Sequence, residues 1–145
     1  MRAVLQRVTH GKVSVEGRPV AEIGAGLVIL LGIGPEDTQA TASIMVEKIA
    51  NLRIFEDQDG KINRSILDVG GQAIVVSQFT LYADTRKGRR PSFTDAAPPD
   101  QALPLVEDVI RLLAGQGVPT QTGEFGAHMV VEITNDGPVT IWLEY

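Results

Sequence analysis

Gly137-Pro138 lies inside Asn135-Asp136-Gly137-Pro138-Val139-Thr140, between two runs of strand-forming residues, and no other feature restricts the fold as much. Proline has no backbone N–H and a fixed φ, and it pushes the preceding residue out of the helical region, so neither residue suits an ordinary central strand. The pattern asks for a rigid turn where a sheet would otherwise continue. An X-Pro bond is also the one common position for a cis peptide, at about 5% of such bonds in folded proteins. A plain hairpin corner and a stiff main-chain element offered to a ligand both satisfy these constraints, and the rest of the chain has to decide between them.

Upstream, Val4 to Val8 and Lys12 to Glu16 alternate as strands, and Glu16-Gly17-Arg18-Pro19 reads as a hairpin turn into Val20 to Ile23. Gly26 to Ile33 is a continuous apolar run bounded by glycine, as expected of a strand covered on both faces. After Gly34-Pro35, Asp37 or Thr38 caps a helix with Ile44, Met45, Ile49 and Leu52 on one stripe and Glu47 and Lys48 turned outward. Phe55 to Gly71 reads as loop or short hairpin, and Ala73 to Leu81 as a second strong strand. Asp84 to Pro99 is too long and polar for a simple connector, which makes it a functional-loop candidate. Leu103, Val106, Val109, Ile110 and Leu113 recur at helical spacing up to Gly115, with Pro104 tolerable in or near the first turn. Strands around Val118 to Thr122, His128 to Thr134 and Val139 to Tyr145 finish the chain. The expectation is an α+β fold, one domain over residues 1–145, with helices on one face of a largely antiparallel or mixed sheet.

Composition removes several functions. Of 145 residues 43% are hydrophobic, enough for one ordinary core. With no cysteine, disulfide scaffolds, thiolate nucleophiles and cysteine zinc sites are excluded. The amino terminus has no signal-like apolar core and no run approaches the ~20 apolar residues of a membrane span, so a cytoplasmic protein is expected. A net charge of −5 argues against broad coating of nucleic acid, although Arg86-Lys87-Gly88-Arg89-Arg90 concentrates four cations in five residues. That run reads either as a solvated loop or as a phosphate contact for a nucleic acid end.

Ser77-Gln78-Phe79-Thr80 invites a search for a hydroxyl nucleophile, but such a group needs a base to take its proton. The only histidines, His10 and His128, form no Ser/His/Asp pattern and no metal-ligand spacing, and read as ordinary strand polar residues. Neither a Walker loop nor a strand-to-helix G-x-G-x-x-G is present, so no cofactor is called for. Phe125 and Met129, on their own, read as core residues of the final strands.

Ser77-Gln78-Phe79-Thr80-Leu81-Tyr82-Ala83-Asp84, Lys87-Gly88-Arg89-Arg90-Pro91-Ser92-Phe93 and Asn135-Asp136-Gly137-Pro138-Val139-Thr140 together closely resemble the D-aminoacyl-tRNA deacylase family. The resemblance runs from Met1-Arg2-Ala3-Val4-Leu5-Gln6-Arg7-Val8 to the closing strand, with the signatures S-Q-x-T and N-x-G-P-x-T both intact. It implies a cytosolic homodimer acting on the 3′ end of aminoacyl-tRNA, in which the Gly-Pro of one subunit, held cis, enters the other's pocket. By that resemblance Gly137 and Pro138 supply a carbonyl wall, and Ser77, Gln78, Phe79 and Thr80 line the pocket floor, with amides near Phe79 and Thr80 available as oxyanion donors. Arg7 braces the Gly-Pro turn, Asn135 and Thr140 support it, and Phe125 and Met129 surround the terminal adenosine. The implied reaction is hydrolysis of D-aminoacyl-tRNA, and of glycyl-tRNA mischarged on tRNA(Ala), with L-amino acids rejected by shape. A module that binds nucleic acid through Arg86 to Arg90 without catalysis is the competing expectation.

Overall fold

The structure, a computed structural model, describes residues 1–145. Its main sheet has the order β2 (Arg18–Ile23), β1 (Arg2–Val15), β3 (Gly26–Gly32), β6 (Gln72–Ser77) and β7 (Thr120–Thr122), with β8 (Met129–Glu144) also pairing β1. A separate hairpin joins β4 (Phe55–Glu56) to β5 (Ile62–Arg64). The helices are α1 (Gln39–Asn51), the single turn α2 (Ile66–Val69) and α3 (Pro99–Gly115). β1 pairs antiparallel with β2, β3 and β8, while β3–β6 and β6–β7 are parallel. The sheet is therefore mixed, in an α+β domain.

β1 is one strand where the sequence suggests two segments, because its first half pairs β3, its second half pairs β2, and β8 spans both. The hairpin turn uses only Glu16 and Gly17, both at positive φ, so Arg18 and Pro19 already belong to β2. β3 is buried along nearly its whole length, as its unbroken apolar run requires.

Helices α1 and α3 cover one face of the sheet. Met45, Val46 and Ile49 from α1 and Val106, Val109 and Leu113 from α3 join Leu5, Leu27, Ile29 and Leu31 in the larger of two cores. A smaller core, with Val8, Val13, Ile23, Val28, Ile74 and Val76, fills the other face where the curved sheet closes toward itself and needs no helix. Thr38 is the N-cap of α1, its hydroxyl accepting from the Thr41 amide in a capping box. Ile44 is 54% exposed and does not belong to the buried stripe. That stripe runs Ala42, Met45, Val46, Ile49, Ala50, and two of its members are alanines that disguise the periodicity.

Three boundaries also shift. β6 ends at Ser77, and residues Phe79–Tyr82 form a 3-10 turn in place of the strand expected as far as Leu81. α3 begins at Pro99, inside the expected loop, because proline at the first helical position gives up only an N–H that lacks a partner anyway. Pro104 consequently lies in the second turn, on an exposed face where water can take the freed Asp100 carbonyl. Only Thr120 to Thr122 of the Val118 to Thr122 run is strand. The two closing runs are a single strand, β8, with Gly137-Pro138 as an irregularity inside it.

Candidate active site

β6 leaves the sheet at Ser77, Gln78 adopts φ −144° and ψ 78°, and the 3-10 turn begins at Phe79. This turn folds back over the end of β3, where a Cβ on Gly32 would lie 3.0 Å from the Gln78 carbonyl and 3.2 Å from the Tyr82 ring. Glycine is what lets the turn sit that close. Arg2 fixes it from behind: Nη1 donates to the Leu81 carbonyl at 3.0 Å and the guanidinium lies 4.3 Å from the centre of the Tyr82 ring. The Tyr82 hydroxyl stands 3.5 Å from Asp37 Oδ2. Burial, and then the charge of Asp37, push its pKa up to about 12. Asp37 in turn holds the Met1 ammonium at 2.5 Å.

On the opposite side the turn faces a cleft of about 640 Å³. Ser77, Gln78 and Phe79 line it together with Phe93, Phe125 and Met129, and its deep end reaches Leu31, Val76 and Val106. The lining is mainly apolar with a few polar groups, the usual make-up of a small-molecule site. Phe79 is 56% exposed, and its ring meets Phe93 edge-on with centroids 5.0 Å apart. Phe93 ends the Lys87 to Phe93 segment of the family resemblance, two residues past Pro91, but the sequence alone assigns it no site role. Thr80 does not line the cleft; it receives a hydrogen bond from the Gln78 amide group. The amides of Phe79 and Thr80 open the 3-10 turn, where N–H groups have no partner within their own helix.

His128 corrects the sequence reading. It precedes β8 and lines the cleft instead of lying in a strand, and its adjacency to Met129 was the available signal. It makes no hydrogen bond to Ser77, so no hydroxyl–imidazole pair is formed. His10 does behave as a surface strand residue, with Nε2 2.9 Å from Glu22 Oε1. That hydrogen bond is the main reason the Glu22 pKa is lowered. No group of three or more His, Cys, Asp or Glu side chains is placed to hold a metal ion.

The second signature lies elsewhere on the same chain. Gln6 faces Thr140 and Val8 faces Asn135, so Arg7 alone stands opposite four residues of β8, Asp136 to Val139. Asn135 ties off this bulge, its Nδ2 donating to the Arg7 carbonyl at 2.9 Å and to the Val139 carbonyl at 3.1 Å. Thr140 donates to Gln6 Oε1 at 2.6 Å. The Arg7 side chain, 4% exposed, donates from Nη1 to the Ile54 carbonyl at 2.8 Å. Its Nε lies 3.0 Å from Asp136 Oδ2, an ion pair that lacks the alignment of a hydrogen bond. The Gly137-Pro138 bond is cis, and Gly137 has φ +118°. A Cβ there would come within 2.9 Å of Val139 Cγ2 and 3.3 Å of Arg7 Nη2, so only glycine fits. Neither Gly137 nor Pro138 lines the cleft of its own chain.

A family model described as D-Tyr-tRNA(Tyr) deacylase matches residues 4–144. The chain belongs to the D-aminoacyl-tRNA deacylase family. Among relatives, the D-aminoacyl-tRNA deacylase of Heliobacterium modesticaldum is 62% identical over 99% of this chain and 96% of that protein. That of Thermus aquaticus is 58% identical over 99% and 95%. A solved structure titled c-Myc DNA Unwinding Element Binding Protein superposes with a TM-score of 0.94 at 44% identity, covering 100% of this chain and 99% of that one. A probable eukaryotic D-amino acid tRNA deacylase shares the fold, with a TM-score of 0.84 at 18% identity over 98% and 97% of the two chains. Both deacylase signatures thus occupy structurally special positions, one at the mouth of the cleft and the other in the bulge of β8.

Proposed function

We propose that this protein hydrolyses the ester bond of D-aminoacyl-tRNA, releasing a free D-amino acid and tRNA. The observation that carries this reading is the Gln78–Tyr82 turn, whose leading residues Gln78 and Phe79 border an apolar cleft large enough for an aminoacylated adenosine. Water attacks the ester carbonyl, its proton leaves by way of the neighbouring ribose hydroxyl, and the bond to the ribose oxygen breaks. The ester is already activated, so positioning and oxyanion stabilisation by the Phe79 and Thr80 amides are the main requirements. Ser77 and Gln78 flank the carbonyl, and Phe125 and Met129 hold the adenine.

D and L esters carry the same groups, so only shape separates them. In this reading Gly137-Pro138 of a second copy closes the cleft with main-chain carbonyls that collide with an L side chain, and Arg7, Asn135 and Thr140 hold that element in place. Two features support a homodimer: Gly137 and Pro138 stand away from their own cleft, and the 16-residue β8 pairs only β1. Val130 and Trp142 on β8 are 56% and 49% exposed, apolar area that a second copy would cover. Glycine has no side chain to reject, so glycyl-tRNA is a further substrate. Such proofreading belongs in the cytoplasm, and no helix of the chain is long and apolar enough to cross a membrane.

Incubation with D-tyrosyl-tRNA, L-tyrosyl-tRNA and glycyl-tRNA tests the reading. Rapid loss of the D and glycyl esters with the L ester spared is expected, and equal cleavage of the D and L esters, or of neither, would overturn it. The name of the 44%-identical structural relative favours a second reading, a nucleic-acid-binding module. Tight duplex DNA binding in a gel-shift titration, without ester cleavage, would establish that reading instead.

A further inference from the structure

The cations of the 84–95 segment take no part in the chemistry above, and the structure separates them into two kinds. Arg86 is spent internally: its Nε and Nη2 donate to Asp84 Oδ1 and Oδ2 at 2.8 and 2.7 Å, and its backbone N–H donates to Oδ1 at 3.0 Å. These bonds hold the Asp84 carboxyl well below the usual carboxylate range. Asp84 also exchanges two backbone hydrogen bonds with Ser92, at 2.8 and 2.9 Å, closing a small hairpin. Lys87, Arg89 and Arg90 occupy its tip, all exposed and in no ion pair. Phe93, immediately past the closed base, is part of the cleft wall and packs on Phe79.

Resting on the reading of the cleft as the seat of the terminal adenosine, we propose that the hairpin tip, Lys87, Arg89 and Arg90, binds the phosphates of the tRNA 3′ strand that leads into the cleft. At a chain reach of about 3.5 Å per residue, Arg90 lies within about 10 Å of Phe93, the range of the phosphates preceding a nucleotide held there. A chain with a net charge of −5 repels RNA over most of its surface, so three unneutralised cations on the hairpin that leads into the cleft wall at Phe93 select where the strand enters. Arg86 and Asp84 are positioning residues: their mutual neutralisation shapes the hairpin and leaves the tip as its only free charge apart from Asp95. Phosphate contacts carry no sequence information, so this surface serves any tRNA.

The test compares the unchanged protein with K87A/R89A/R90A on D-tyrosyl-tRNA and on the D-tyrosyl ester of adenosine, which has no phosphate, and measures filter binding of uncharged tRNA over a salt series. The triple variant should raise KM for the tRNA substrate at least about tenfold with kcat within about twofold. It should flatten the slope of log affinity against log salt by about 2, at ~0.7 per phosphate on a single strand. Hydrolysis of the adenosine ester should not change, and R89K/R90K should keep most of the affinity, since a point charge suffices for phosphate. An unaltered KM and salt slope would overturn the proposal, and so would an equal loss on both substrates, which would place the effect in the cleft wall. If the unchanged protein hydrolysed neither ester, the deacylase reading would fail, and the salt series on uncharged tRNA would still decide the hairpin.

Discussion

At Asn135–Thr140 the break in β8 is fastened from within by the Asn135 amide, the Thr140 hydroxyl and a buried arginine. The break that ends β6 at Phe79–Tyr82 is fastened only from behind. Arg2, Asp37 and the close approach of Gly32 secure Leu81 and Tyr82, while Phe79 and Gln78 face the open cleft. In the proposed reading the bulge excludes a shape and works only if it cannot yield, and ties from Asn135, Thr140 and Arg7 accordingly flank it. In the same reading the turn receives the substrate, so its leading amides stay free and the Phe79 ring rests only on Phe93 at the cleft wall, with the rigidity moved one residue back. Loss of a tie should therefore hurt the bulge far more than loss of a front-side group hurts the turn.

The sharpest way to break this contrast is Arg7→Ala. It strands the Ile54 carbonyl, leaves Asp136 without its cation and opens a void, so a loss of about 3 kcal/mol is expected in urea unfolding. D-aminoacyl-tRNA cleavage should fall at least about tenfold; a midpoint unchanged from the parent would show that the bulge does not depend on its arginine. Tyr82→Phe probes the rear anchor of the turn and should cost less than about 1 kcal/mol at neutral pH, because the lost contact to Asp37 is 3.5 Å long. Its signature is in alkali. The folded chain holds the Tyr82 proton to about pH 12, against an ordinary 10, so the stabilisation linked to it is complete below pH 10 and lost as pH rises through about 12. The stability gap between parent and variant should narrow across that window, and parallel curves would contradict the assignment. Thr80→Ala, which removes only an exposed hydroxyl that accepts from Gln78, should move stability by only a few tenths of a kcal/mol, and should leave substantial cleavage. Complete loss of cleavage with unaltered unfolding would make the Thr80 hydroxyl the nucleophile.

Much of this architecture was legible along the chain, for identifiable reasons. The Gly26 to Ile33 run has no polar residue to place outside, so it had to be a central strand. α3 announced itself through Val106, Val109 and Leu113 at helical spacing. Local patterning failed where tertiary pairing decides: nothing near Val8 or Thr134 shows that β8 keeps one partner through its bulge, since it is β1 that makes the strand continuous. Ser77 to Leu81 looks like strand by composition, yet it turns because Gly32, far away in sequence, offers the room. In the site, Ser77, Gln78, Phe79, Phe125 and Met129 do converge on one cleft. His128, which reads as a strand residue, and Phe93, which ends a motif segment, have no place in the site from sequence alone, because only the folded cleft gathers them.

The pairing of β1 with β8 has a consequence in time. Residues facing each other there, such as Arg2 and Glu144 or Val4 and Trp142, stand at opposite ends of the chain. At about 5–20 residues per second, the ribosome needs on the order of ten seconds after making the first strand before the last one exists. During that interval β1 can already be shielded by β2 and β3, but the flank that will carry the bulge stays open. The Arg7 guanidinium, planted early, waits for Asp136 to be synthesised. The bulge is thus among the last elements the nascent chain completes, after α1, α3 and the Gln78–Tyr82 turn have been made.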